Sequence, residues 1–143
     1  MITIEMLGGL AFEVTPPSGR KLVLDTYPSE ETPDTLGPTP MEMLQASAAV
    51  CTAMDVISIL RKMKQPVDSY RLEVESERAP EGQWPRPFTA IKVQHYIVGK
   101  DLDPALVEKA IKLSDEKYCS VMATLRSGPS ISQEWKIENP LAV

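Results

Sequence analysis

Two cysteines, Cys51 and Cys119, are the residues of this 143-residue chain whose types allow redox chemistry. Cys51 lies inside the apolar stretch GPTPMEMLQASAAVCTAMDVISIL, and Cys119 lies in SDEKYCSVMATL. Thiols react as thiolates, and two thiols that meet can cycle between dithiol and disulfide. Burial in an apolar helix disfavours the charged form, so Cys51 needs a neighbour that favours it. Asp55 follows one helical turn later on the same face, and a bare carboxylate there opposes the thiolate. Its presence makes sense if it is paired with a basic side chain or hydrogen-bonded elsewhere. Cys119 falls within about a turn or two of a helix start, where partial positive charge favours a thiolate. Lys117 stands close by in sequence. Each cysteine also has a plain alternative as a small core residue.

The other chemically capable residues are thinly spread. Glu42 stands three residues after Thr39, the spacing of a capping box, and that local role suits it. His95, the only histidine, falls in the alternation Ile91, Val93, Ile97 and reads as a satisfied, partly buried side chain. Neither cysteine belongs to a CxxC pair, and zinc sites use about three or four such ligands, so no metal or cofactor is expected. Met41, Met43, Met54, Met63 and Met122 suit an adaptable apolar pocket or core filling, and Trp84 and Trp135 suit packing or an interface. The net charge of −5, with basic residues scattered, excludes a nucleic-acid footprint. The apolar run Ala46–Leu60 is interrupted by Ser47, Thr52, Asp55 and Ser58, so no membrane span is expected. The N-terminus MITIEMLGGL has no signal-peptide pattern, and a cytoplasmic location follows as the default.

Elements that must position these residues are read from turn signals and periodicity. Strands are predicted at Thr3–Met6, Leu10–Val14 and Lys21–Asp25, divided by Gly8-Gly9 and by Pro16-Pro17-Ser18-Gly19. Thr39 and Pro40 open a helix that runs to about Lys64 and is stopped by Pro66. It is apolar nearly all round from Leu44 to Leu60, so a single domain of residues 1–143 leaves it incompletely covered and a dimer is expected. Tyr70–Glu77 and Phe88–Val98 alternate as strands, Asp103-Pro104 starts a second helix, and Ser114 or Asp115 restarts a short one through Leu125. Ile131–Glu138 is predicted as a last strand. The pattern is α+β, with two long helices against antiparallel sheets.

GPTPMEMLQASAAVCTAMDVISILRKM, PFTAIKVQHYIVGKDLD and VEKAIKLSDEKYCSVMATL together resemble the OsmC/Ohr family of osmotically inducible and organic hydroperoxide resistance proteins, in an uncharacterised OsmC-like branch. The resemblance runs from about Leu36 to Leu125 and more loosely beyond. It implies an OsmC-like fold, an intertwined homodimer, and a thiol-dependent peroxidase acting on alkyl or fatty-acid hydroperoxides. Cys51 then matches the attacking cysteine and Cys119 the resolving one, through a Cys51 sulfenic acid and a Cys51–Cys119 disulfide. A dithiol, in studied members a lipoylated protein, is the implied reductant. Glu42 is the third site candidate, one residue later than the family's glutamate, because Met41 follows Pro40 here. The family's arginine after an early Gly-Gly is Leu10 in this chain, with Arg20 the nearest substitute. The alternative expectation is a non-catalytic OsmC-like binding protein, or a redox sensor, that uses the apolar dimer pocket.

Overall fold

The structure is a computed structural model that describes residues 1–134 and 136. Three antiparallel strands open the chain, β1 (Thr3–Gly8), β2 (Ala11–Thr15) and β3 (Leu22–Leu24), hydrogen-bonded in that order. Gly9 closes the first turn at φ 55°, where a side chain would be strained, and the Gly19 N–H donates to the Pro16 carbonyl at 2.9 Å across the second. β1 is exposed along its whole length. Asp25 then ties the proline-rich loop back to β3. Its N–H donates to the Pro38 carbonyl at 3.0 Å, and its Oδ2 accepts from the Leu36 N–H at 2.9 Å. Gly37 comes so close to this strand that an added Cβ would meet the Val23 carbonyl oxygen at 2.1 Å.

Helix α1 (Pro40–Lys62) starts as its sequence dictates, with Pro40 in the first turn and a complete capping box. The Glu42 N–H donates to Thr39 Oγ1 at 3.2 Å, and the Thr39 N–H donates to Glu42 Oε2 at 2.7 Å. The helix ends two residues before the predicted Lys64. Lys64 turns left-handed at φ 56°, its N–H donates to Arg61 and the Gln65 N–H reaches back to Leu60, which is a Schellman closure with lysine where glycine is usual.

Ala48, Ala49, Thr52, Val56 and Leu60 form the buried stripe of α1. By length and composition the 23 residues of α1 could cross a membrane, but here that stripe packs inside the α+β fold. The opposite side is left open: Val50 is 56% and Met54 66% exposed.

Strands β4 (Ser69–Arg78) and β5 (Phe88–Val98) form an antiparallel pair. Its register sets Tyr70 opposite Ile97, Leu72 opposite His95 and Val74 opposite Val93, and these alternate positions are the half-buried ones. Helix α2 (Pro104–Leu113) is capped by Asp103, whose Oδ1 accepts from the Ala105 N–H at 2.9 Å. Ala110 of α2 meets Val56 and Leu60 of α1 in the small core, with Ile59, Val67 and Tyr70 around it.

The chain after α2 differs from the predicted single short helix. A π turn at 114–118 closes with the Cys119 N–H donating to the Ser114 carbonyl at 2.9 Å, and Cys119 then extends (ψ 99°) and caps helix α3 (Ser120–Ser127). The wider turn, not a continuous α-helix, decides where Cys119 lies. The predicted strand at 131–138 is absent among the described residues 131–134; Trp135 and residues 137–138 lie outside them. Among the described residues, antiparallel sheets with three α-helices make the α+β class expected from the pattern of elements.

Candidate functional site

The site forms where α1 crosses the π turn and the start of α3. From α1 come Cys51, Thr52 and Asp55; from the second segment come Ser114 and Cys119. The sulfurs of Cys51 and Cys119 and a carboxylate oxygen of Asp55 all lie within 4.8 Å of one another. Both thiols are free; Cys119 is buried and Cys51 half-buried. Among the described residues Asp55 is hydrogen-bonded rather than ion-paired: Ser114, itself fully buried, donates its Oγ proton to Asp55 Oδ2 at 3.0 Å. Thr52 Oγ1 lies 3.2 Å from the Ala48 carbonyl and 3.5 Å from Cys119 Sγ. The Met122 N–H donates to Cys119 Sγ at 3.4 Å, so the sulfur takes the place of a capping oxygen at the start of α3.

These contacts divide the two thiols. For Cys119, burial is the largest influence and opposes ionisation, but the Thr52 hydroxyl, the Met122 and Val121 N–H groups and the Cys51 thiol outweigh it and hold the pKa below the ordinary value. For Cys51, the Val121 N–H is the largest influence and favours the thiolate. Burial, Cys119 and Asp55 together overcome it and push the pKa up. The contacts therefore favour ionisation at Cys119 and oppose it at Cys51. Asp55→Asn removes one of the influences that hold the Cys51 thiol up. Its rate of alkylation by iodoacetamide at pH 7 should rise severalfold, and its pH profile should move toward lower pH, read by mass spectrometry of the Cys51 peptide. An unchanged or upward-moved profile would show that Asp55 does not act on Cys51 through charge.

The remaining sequence candidates are placed elsewhere. Glu42 precedes Cys51 by nine residues, which is half a turn out of phase and about 13 Å along the axis, and its carboxylate is engaged in the helix cap. Leu10 is 67% exposed, and Arg20 lies exposed in the β2–β3 turn. Lys117 stands 5.4 Å over the Tyr118 ring. His95 Nδ1 lies 2.6 Å from the Tyr70 hydroxyl on the sheet; burial lowers the histidine pKa and pushes Tyr70 up to about 12.

Three residues that sequence reasoning missed belong to the site or its frame: Thr52, Ser114 and Arg126. Arg126 clamps the π turn by donating to the Asp115 carboxylate at 2.6 Å and to its carbonyl at 3.1 Å. The Asp115 contact is the main reason its pKa is raised, and the Cys119 charge adds to it. None of the three had a sequence signal of this role; a serine 59 residues from its aspartate carries none. Cys51, Asp55 and Cys119, which the sequence spacing does not place together, converge here.

A cleft of about 460 Å³ opens beside Cys51, lined by Met43, Ala46, Ser47, Val50, Met54 and Asp55. Met41 and Met122 line a separate cleft with Phe88, and Met63 lines another with Asp55. The fold and site thus define a class: α+β proteins with two converging, unbonded thiols at a helix crossing.

The family profile described as OsmC-like protein matches residues 32–134, and the chain belongs to that family. Protein YhfA of Escherichia coli (strain K12) is 35% identical over 134 residues, covering 94% of this chain and 95% of that protein. A hypothetical protein from Aquifex aeolicus VF5 superposes with a TM-score of 0.76 at 27% identity, covering 90% of this chain and 87% of that one. An organic hydroperoxide resistance protein OsmC from Legionella pneumophila shares the fold, with a TM-score of 0.63 at 17% identity and coverage of 89% and 88%.

Proposed function

We propose that this protein is a dimeric thiol-dependent peroxidase that reduces organic hydroperoxides at Cys51 and Cys119. The convergence of the two free sulfurs, brought from positions 51 and 119 to one helix crossing, carries this reading. The Cys51 thiolate attacks the outer peroxide oxygen and breaks the O–O bond, giving a Cys51 sulfenic acid and the alcohol. The Cys119 thiol displaces water from that sulfenic acid and forms a Cys51–Cys119 disulfide. An external dithiol, a lipoylated protein in this reading, restores both thiols by exchange and leaves as its own disulfide.

Several observations support these assignments. Cys51 rather than Cys119 borders the cleft, so it is the thiol a substrate can reach. Apolar Met43, Ala46, Val50 and Met54 in that cleft suit an alkyl or fatty-acid chain better than hydrogen peroxide. Glu42 enters as the residue that holds the start of α1, not as a reacting group. A second copy of the chain is the natural cover for the open face of α1 and for β1, where Ile4, Met6, Val50 and Met54 are all more than half exposed.

Reduced protein treated with one equivalent of cumene hydroperoxide should lose two hydrogens and yield a joined Cys51–Cys119 peptide by mass spectrometry. Protein that keeps both thiols under excess hydroperoxide is not a peroxidase of this kind, and a binding role for the same cleft would take its place.

A further inference from the structure

We infer that Cys51, Cys119 and Asp55 form a three-ligand site for a thiophilic divalent cation of the zinc type. Cys51 and Asp55 stand one turn apart on α1, and Cys119 faces them from the cap of α3, so the donors approach from two elements. Their ligand atoms lie within 4.8 Å of one another. Tetrahedral zinc, with sulfur at about 2.3 Å and oxygen at about 2.1 Å, sets its donors roughly 3.6–3.8 Å apart. The observed limit exceeds that spacing by about 1 Å.

The surroundings are those of a ligand set. Metal ligands are held by outer hydrogen bonds that fix their orientation. Here the buried Ser114 hydroxyl holds one oxygen of Asp55, and the Met122 N–H and Thr52 hydroxyl address Cys119 Sγ. Two thiolates and a carboxylate would bring three negative charges together, and a divalent cation supplies the neutralising charge. Two sulfur donors with one oxygen select zinc over magnesium or calcium. Cys51 and Asp55 both border the cleft with Met43 and Met54, which leaves a fourth position for water or another exchangeable ligand.

Metal binding by the reduced cluster does not depend on peroxidase activity, but the two states share both sulfurs. A cation held there and a Cys51–Cys119 disulfide exclude each other, so the metal would guard the thiols against oxidation.

Reduced, metal-free full-length protein titrated anaerobically with Co²⁺ should develop thiolate-to-cobalt charge transfer and tetrahedral d–d bands that saturate at one ion per chain. Zn²⁺ should then bleach them. Asp55→Asn should weaken Zn²⁺ binding by calorimetry at least on the order of tenfold, and Cys51→Ser or Cys119→Ser should abolish the charge-transfer band. In the unaltered protein, one equivalent of Zn²⁺ but not Mg²⁺ should slow alkylation of both cysteines, a readout that needs no variant to fold. Absence of the band, equal Zn²⁺ affinity in the cysteine variants, or unprotected thiols at saturating Zn²⁺ would each overturn the site.

Discussion

Under the proposed mechanism, Cys51→Ser should lower dithiol-coupled consumption of cumene hydroperoxide by on the order of 10³-fold or more, while Cys119→Ser should consume one equivalent per chain and stop. The asymmetry follows from which atom attacks. Serine at position 51 has the shape of the nucleophile without its acidity or polarisable sulfur, so no O–O bond is broken. Serine at position 119 leaves the attack intact but offers no thiol to the sulfenic acid, which a 1,3-diketone reagent should trap at Cys51. The charge distribution adds a less obvious expectation. Cys119 is among the influences that push the Cys51 pKa up, so its removal lets Cys51 ionise more readily. The single oxidation in Cys119→Ser should therefore be faster at pH 7 than the first oxidation of the unaltered protein. Equal turnover in unaltered protein and Cys51→Ser would remove Cys51 from the mechanism. Loss of the first oxidation in Cys119→Ser instead would exchange the two roles, with the more acidic thiol as the attacker.

Leu60→Ala should cost about 2–5 kcal/mol of folding stability, measured by urea denaturation at a fixed protein concentration. Leu60 is fully buried and, with Val56 and Ala110, makes up the centre of a small core. Truncation there removes the contact that holds the C-terminal half of α1 against α2, and neighbours of this size cannot refill the gap. The π turn follows α2 directly, so the packing of α2 on α1 also bears on where Cys119 meets α1. Loosening it should thus slow disulfide formation as well as lower stability. A cost under about 1 kcal/mol would mean that the core collapses around the shortened side chain. Val50→Ala, on the exposed face of the same helix, should leave the stability of the isolated chain nearly unchanged.

The contrast between Leu60 and Val50 shows where sequence reading stops. Both sit in one apolar run, and α1 reads as apolar on all sides; no pattern in the run says which side this chain covers. Other features were local and therefore legible. Thr39-Pro40-x-Glu42 specifies its own helix start, Asp103-Pro104 does the same for α2, and the alternation through 88–98 specifies β5, because each depends on neighbours within a few residues. The break at Cys119 was not legible. Nothing in SDEKYCSV distinguishes a π turn followed by a new helix from one continuous helix, since the choice depends on packing against α1 and on the Arg126 clamp.

By itself, then, the sequence determined the two thiols, the helix starts, the β5 alternation, the α+β pattern and, through its motifs, the OsmC-like family. Tertiary structure alone decided that Cys119 meets Cys51, that Ser114 partners Asp55, and that the Thr52 hydroxyl reaches the Cys119 sulfur. The physical reason is one of range. Caps, turns and alternation are settled within a turn or two of chain, whereas each thiol also meets a donor from more than fifty residues away, Thr52 at Cys119 and the Val121 N–H at Cys51.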